Sequence, residues 1–407
     1  MTQVSGPVNL IRLEGKINNV DKVFYVFMDY HIQSTMQTEC TDVRSVHIKN
    51  YLVNTLDSMK NIPKTFDFFL ESFPDMITFQ TKQTDIYINQ LRDMFERIFK
   101  FNFETNKVIK PVDFPNLRLH YIDIRPYFTF KAGNPFGMKD MLGNFIFSNE
   151  CNPFYNEDIF KIQDYLLIII SEINLINKIC FEKLDNVKHI NTIRKYVNKF
   201  VSYDKTEANN NIKYLINKIK NVYEKSEVKK KINELFNSQL ENIFSKLFDQ
   251  YDGLIKEIES AKVKLNHDFY DKVYENEKVT FFGASHENIH FDIMKSLIPK
   301  YLEFGGSITH MYITFMDLYF LRRSLDKDYV TNVLVYTGAY HSANYIKFLV
   351  NTFDFKVTHV SYSQIKDMKQ LNKKLHTLNN TEKVLDIFIP NKLHQCIDVS
   401  NFPKNFA

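Results

Sequence analysis

The sequence predicts an α/β fold, with a central mostly parallel sheet flanked by helices and a large helical insertion. Three observations predict it. In the N-terminal third, short β-branched and aromatic runs alternate with amphipathic helical patterns. The stretch Thr331–Ser361 reads as strand, tight glycine turn, helix and strand, the βαβ unit of such a sheet. Between these regions, from about Asn156 to Asn276, the pattern is helical almost without break.

The elements follow in order. Lys22–Met28 is a run of β-branched and aromatic residues, a buried strand ending in Asp29-Tyr30-His31. A helical pattern over about Val43–Met59 leads to a second strand, Thr65–Leu70, that ends at Glu71. A helix over roughly Thr84–Phe101 precedes a third strand, Leu117–Ile122, that ends in Asp123-Ile124-Arg125. Ala132–Pro153, which holds much of the Gly and Pro, reads as an irregular loop. In the helical stretch, Ile212, Leu215, Ile216, Ile219 and Val222 form one apolar stripe; Ile232, Leu235, Phe236, Leu240, Ile243, Phe244, Leu247 and Phe248 form another. Long antiparallel helices packed on each other account for this, and a partner-binding coiled coil is the sharper reading.

Val279–Phe282 reads as a short strand stopped by Gly283, with His286 and His290 after it. Helices at about Ile289–Tyr301 and Thr309–Leu325 lead into the βαβ unit. Its first strand, Val333–Tyr336, stops at Gly338 with His341 just beyond. Its helix carries Ile346, Leu349, Val350 and Phe353 at helical spacing, and Phe355–Val360 closes it. A lysine-rich helix near Gln364–Leu378, a strand Val384–Ile389 and a surface arm Asn391–Ala407 complete the chain. The expected division is therefore 1–154 and 279–363 as the halves of one α/β domain, 155–278 as the helical insertion and 364–407 as a C-terminal arm.

Composition excludes several classes. With 44% hydrophobic and 25% charged residues, the chain reads as a soluble globular protein and not a disordered one. A net charge of +4, from 52 basic and 48 acidic residues, is too balanced to argue for nucleic acid, which only the lysines of the helical region favour. The four cysteines, Cys40, Cys151, Cys180 and Cys396, show no paired spacing, so no disulfide framework or zinc ribbon is expected and a reducing compartment is the default. No segment reads as a signal peptide or membrane span. A cytoplasmic, membrane-free protein follows, with a homo-oligomer left open.

The chemistry-bearing residues share one placement. Asp29, His31, Glu71, Asp123 and His341 all follow strand ends, where ligands collect in α/β sheets. Asp29 and His31, two apart, point the same way if the strand continues. Carboxylates with imidazoles suit a divalent ion, zinc or manganese, and His286 is a further candidate ligand. Arg125 has the fork geometry to clamp an anion or hold a carboxylate. Taken singly, each residue has a plainer explanation: helix caps and turns account for a lone Asp or His, and an ion pair accounts for Asp123 with Arg125.

The order of these features resembles the superfamily of TraB/Tiki-type proteins, ChaN-like haem-binding proteins and erythromycin-esterase-like proteins. VFMDYH (Val26–His31) is similar to its first motif, a strand ending in Gly-Glu-x-His, with Met28 and Asp29 replacing the glycine and glutamate. FFLES (Phe68–Ser72) resembles the second motif, HYIDIRPY (His120–Tyr127) the Asp-Arg strand end, and Val333–Val357 the closing Gly-x-x-His unit. Arg322 and Arg323 resemble the arginine-containing helix that precedes it. The resemblance implies a metal-dependent hydrolase of peptide or ester bonds. Asp29, His31 and His341 would hold the ion, Glu71 would be general base and Arg125 would steady developing negative charge. The Asn-, Lys- and Ile-rich composition is similar to that of proteins from large DNA viruses of amoebae. The competing expectation is a catalytically inactive virion or assembly component on the same fold that binds a partner through the helical region.

Overall fold

The computed structural model describes residues 3–31, 40–60, 62–72, 87–102, 107–109, 111–128, 135–148, 156–181, 205–275, 284–392 and 394–406. Strands β1 (Gln3–Ser5), β2 (Asn9–Ile17), β3 (Val20–Asp29) and β4 (Val46–His47) lead to helix α1 (Ile48–Met59). Then come β5 (Phe66–Leu70), α2 (Tyr87–Ile98), β6 (Lys100–Asn102), β7 (Lys107–Ile109) and β8 (Leu117–Tyr121). The helices α3 (Pro135–Ser148), α4 (Asn156–Phe181), α5 (Lys205–Lys220), α6 (Ser226–Glu275) and α7 (Ala284–Leu325) follow. The chain continues through β9 (Asn332–Gly338), α8 (Ala339–Phe353), β10 (Lys356–Val360), α9 (Met368–Leu375), α10 (Thr381–Phe388) and β11 (Cys396–Asp398).

The chain divides into two compact units. The α/β unit comprises Met1–Asp123, Tyr223–Ile232 and Met316–Ala407, and the helical unit Ile124–Val222 and Asn233–Phe315. These boundaries differ from 155 and 279 as read from sequence, because helical periodicity marks where helices lie and not which core they pack against.

The α/β unit holds a six-stranded mixed sheet in the order β10-β2-β3-β9-β5-β8. Strands β3, β9, β5 and β8 run parallel, while β2 runs against both β3 and β10. The β2–β3 hairpin turns through Asn18 and Asn19, at φ 46° and 66°. Asparagine tolerates this left-handed conformation, which a two-residue hairpin loop demands. The side chains of one sheet face, among them Tyr25, Phe27, Phe66, Phe68, Leu334 and Tyr336, are buried with Leu52 and Leu56 of α1 and Leu91 and Phe95 of α2. On the opposite face Phe24, Phe69 and Tyr345 pack around Phe320.

Several expectations are corrected in this unit. Val384–Ile389 is not a strand: Asn380 caps a helix there by accepting from the Lys383 N–H at 3.2 Å, and α10 follows. The C-terminal residues are not a surface arm. Strand β11 pairs with β1, and Phe406 is buried against Tyr25 and Phe27. Cys40 and Cys396 form a disulfide across 356 residues of sequence, with Cα atoms 5.0 Å apart. Their remoteness in sequence hid the pair.

In the helical unit, Pro135–Ser148 is a helix and not a loop. Its Gly143 allows close approach, since a Cβ there would clash with the Tyr301 hydroxyl. Helix α7 runs unbroken through Pro299, where two helices were expected. Helices α4 and α6 are antiparallel, because Phe181 meets Phe236 and Phe244 while Gln163 bonds Glu259. Ile212, Leu215, Ile216 and Ile219 are buried as the stripe requires, and Val222 is partly exposed. The expected strand Val279–Phe282 lies outside the described residues.

Candidate functional site

Three neighbouring parallel strands deliver the site. In register, Asp29 of β3 lies opposite Gly338 of β9, and Leu70 of β5 opposite Tyr336. Asp29, Glu71 and Gly338 therefore reach one edge of the sheet together, at the carboxyl ends of the strands. The strand β3 stops at Asp29, so the condition under which Asp29 and His31 would point the same way is not met. His31 instead takes φ 53°, a left-handed conformation that turns its ring back over the edge.

A polar cluster results. His31 Nδ1 lies 3.0 Å from Asp29 Oδ2, and its Nε2 lies 3.4 Å from Glu71 Oε2. The backbone N–H of Gly338, which caps α8, donates to the same Glu71 oxygen at 2.6 Å. His341, in the first turn of α8, places Nε2 3.5 Å from the other oxygen, Glu71 Oε1. Its Nδ1 lies 2.6 Å from Asp317 Oδ1, and Asn344 donates to Asp317 Oδ2 at 2.7 Å. Glu71 thus sits at a helix N-terminus, where unpaired N–H groups favour an anion, between two imidazoles each backed by a buried aspartate. A Cβ at Gly338 would meet His31 Nε2 at 2.9 Å, so any side chain there would displace the His31 ring.

The electrostatics follow from this geometry. Burial opposes the charge on His31, yet its bonds to Asp29 and Glu71 outweigh that and push its pKa up to about 10. Burial alone would raise Glu71, but the charge of His341, the contact with His31 and the Gly338 N–H hold it down at about 2. Burial likewise opposes protonation of His341, and Glu71 and Asp317 raise it nonetheless. Asp317 is raised by burial against the pull of His341 and Asn344. The His31 side chain is 36% exposed and Asp317 is 1% exposed, so the cluster runs from a solvent-facing ring to a dry carboxylate.

The other expected residues are distributed as follows. Asp123 is buried at the neighbouring strand end, its N–H on the Ser72 carbonyl at 3.3 Å. Arg125 falls in the helical unit, exposed, in a 3-10 turn at Arg125–Phe128, and is not assigned to the site. His286 also falls in the helical unit. It lies in the first turn of α7, and its side chain is outside the described residues. Sequence reasoning missed Asp317, Asn344 and the Gly338 N–H. The available signals were a single acidic residue within the apolar helix Met311–Leu321 and an asparagine one helical turn after His341.

The donor types suit zinc or manganese, and Asp29 Oδ1 is buried with no hydrogen-bond partner. Among the described residues, no group of three or more His, Cys, Asp or Glu side chains is arranged to hold a metal ion. No described helix is long and apolar enough to cross a membrane.

The chain is similar over its whole length to mimivirus proteins. Uncharacterized protein R161 of Acanthamoeba polyphaga mimivirus is 34% identical over 440 residues, covering 100% of this chain and 98% of the relative. Uncharacterized protein R706 of the same virus is 32% identical, covering 99% and 96%. Uncharacterized protein R160, also of that virus, is 32% identical, covering 99% and 97%. These relatives support a giant-virus origin. No solved structure matches. A family model described as a family of unknown function, DUF5847, matches residues 2–407, and the chain belongs to that family.

Proposed function

We propose that the cluster is a hydrolytic site for peptide or ester bonds, in which His341 accepts a proton from water and His31 protonates the leaving group. One observation carries this reading. Both imidazoles turn Nε2 to the two oxygens of Glu71, while separate buried aspartates hold both Nδ1 atoms. The Asp317–His341 pair has the base-and-orienter geometry of acyl-transfer enzymes. Glu71, held near 2, is too weak a base for the role expected from sequence, and it orients the rings and the water instead. The water oxygen bonds to the carbonyl carbon as its proton passes to His341 Nε2. The bond to the leaving nitrogen or oxygen then breaks, and that atom takes the proton of His31. A ring held protonated up to about pH 10 gives its proton only to a strongly basic leaving group, which is what amide and alkyl ester cleavage generates.

The resemblance to TraB/Tiki-type and erythromycin-esterase-like proteins supports this reaction class. A divalent ion bound by the imidazoles and Glu71 would activate water by lowering its pKa. The orphaned Asp29 Oδ1 favours such binding, and the proton transfers of the two imidazoles need no ion.

The test is hydrolysis of peptide and ester panels by the purified chain, with elemental analysis of the same sample. The rate constant kcat/KM is expected to rise above pH 6.5 as His341 loses its proton and to fall near pH 10 as His31 does. His341→Ala should lower kcat about 10²–10⁴-fold with the fold intact. Turnover indifferent to His341→Ala, or none on any substrate with or without zinc and manganese, overturns the proposal. The second reading, partner binding through the helical unit, is favoured by its exposed Met141, Phe160, Leu167, Val263 and Leu302. A hydrolytically silent chain that loses a partner on Phe160→Ser with Leu167→Ser would favour it.

A further inference from the structure

A run of side chains, buried at Asn344 and Thr381 and half-buried at Lys347, continues beyond Asp317. Lys347 Nζ donates to Thr381 Oγ1 at 2.8 Å, and Thr381 Oγ1 donates to Asn344 Oδ1 at 2.6 Å. Asn344 Nδ2 then donates to Asp317 Oδ2, whose other oxygen faces His341 Nδ1. Asn344 and Thr381 are each 4% exposed, so little water competes for these groups. Residues 341, 344 and 347 stand three apart along α8 and share one face, and Thr381 opens α10.

The direction of each bond in this run is dictated by its end. An ammonium has donors and no acceptor. Thr381 therefore accepts from Lys347, and because the carboxylate of Asp317 at the other end can only accept and takes the Asn344 NH₂, the Thr381 hydroxyl proton goes to Asn344. The Asn344 atom that faces Thr381 must then be the carbonyl oxygen, and its NH₂ must face Asp317. A carboxylate that accepts at one oxygen and is favoured in its charged form by that donor also accepts at the other. Nδ1 of His341 is left as the protonated nitrogen and Nε2 as the one that exchanges protons toward Glu71.

We infer that Lys347, Thr381 and Asn344 are positioning residues that set the tautomer of His341, through a one-way run of hydrogen bonds that starts at Lys347 of α8 and passes through Thr381 of α10. The inference rests on the reading of His341 as proton acceptor, and it adds residues that do not touch Glu71. With the opposite tautomer Nε2 would carry the proton, and His341 could not take one from water.

The test is ¹⁵N NMR of the full chain with ring-labelled histidine, treated with EDTA, with His341 assigned by its loss in His341→Asn. Nδ1 of His341 is expected to stay protonated up to the alkaline limit of the folded range. Thr381→Val should shift that resonance toward the unprotonated range and create a protonated Nε2 population, and Thr381→Ser should restore the parent pattern. A merely structural threonine would leave the ring unchanged. An unprotonated Nδ1 in the parent protein overturns the inference, as does a folded Thr381→Val chain with the parent ring pattern. If Thr381→Val fails to fold, Lys347→Met removes the donor-only end, and an unchanged ring there is equally fatal. No substrate is involved, so hydrolysis can fail while the tautomer holds, and the reverse outcome is equally readable.

Discussion

Gly338 shows how much of the site depends on single atoms. Its N–H holds Glu71 Oε2, and the missing Cβ leaves room for His31 Nε2, which would lie 2.9 Å from it. Gly338→Ala is expected to push the His31 ring outward and lower kcat about a hundredfold, with a small loss of Tm, measured by the ester assay beside a thermal melt. The paired charges also give a pH signature. His31, raised to about 10 from 6.5, contributes stability fully below 6.5 and loses it as pH climbs to 10. Glu71, lowered from 4.5 to about 2, contributes fully above 4.5 and loses it as pH falls toward 2. The Tm difference between the EDTA-treated parent and Glu71→Gln should therefore be largest between 4.5 and 6.5 and narrow on both sides. A difference flat in pH would show that the imidazoles do not charge against Glu71.

Single elements mostly obey local rules. Strands β3, β5, β8, β9 and β10 lie where β-branched and aromatic runs placed them, each within a few residues. The hairpin from β2 to β3 depends on Asn18 and Asn19 at positive φ. Asn19→Val is expected to cost about 1–2 kcal/mol in urea unfolding, because a β-branched residue resists that conformation, while Asn19→Gly should cost nothing. Helix α10 shows the opposite case. Its short apolar run looks like a strand, yet the Asn380 cap selects a helix whose face carries Thr381. Short apolar runs are ambiguous between the two states, and only the cap and the surrounding packing decide them.

At the scale of the whole molecule, the α/β unit is assembled from distant pieces. The Cys40–Cys396 disulfide spans 356 residues of sequence, and β11 pairs with β1 beside it. Cys396→Ser is expected to lower stability by about 2–4 kcal/mol in oxidising buffer, and dithiothreitol should lower the parent Tm but not that of the variant. Phe406, buried against Tyr25, Phe27 and Tyr51, is a core residue at the far end of the chain. Phe406→Ala should cost about 3–5 kcal/mol by chemical denaturation, whereas a surface arm would tolerate it.

The α/β class, five of the eleven described strands and the positions of Asp29, His31, Glu71 and His341 were legible in the chain, because alternation and helical periodicity are local and strand ends mark the edge of a sheet; β2 of the central sheet was not read. The pairing was not legible. Asp317 reaches His341 only because the last turns of α7 lie against the sheet face that carries Phe69 and Phe24. Arg125 and His286 fall in the helical unit. Local pattern determines which residues end a strand. Which of those ends share a carboxylate, and which buried aspartate stands behind each imidazole, is decided by packing between segments far apart in sequence, and no spacing along the chain records that.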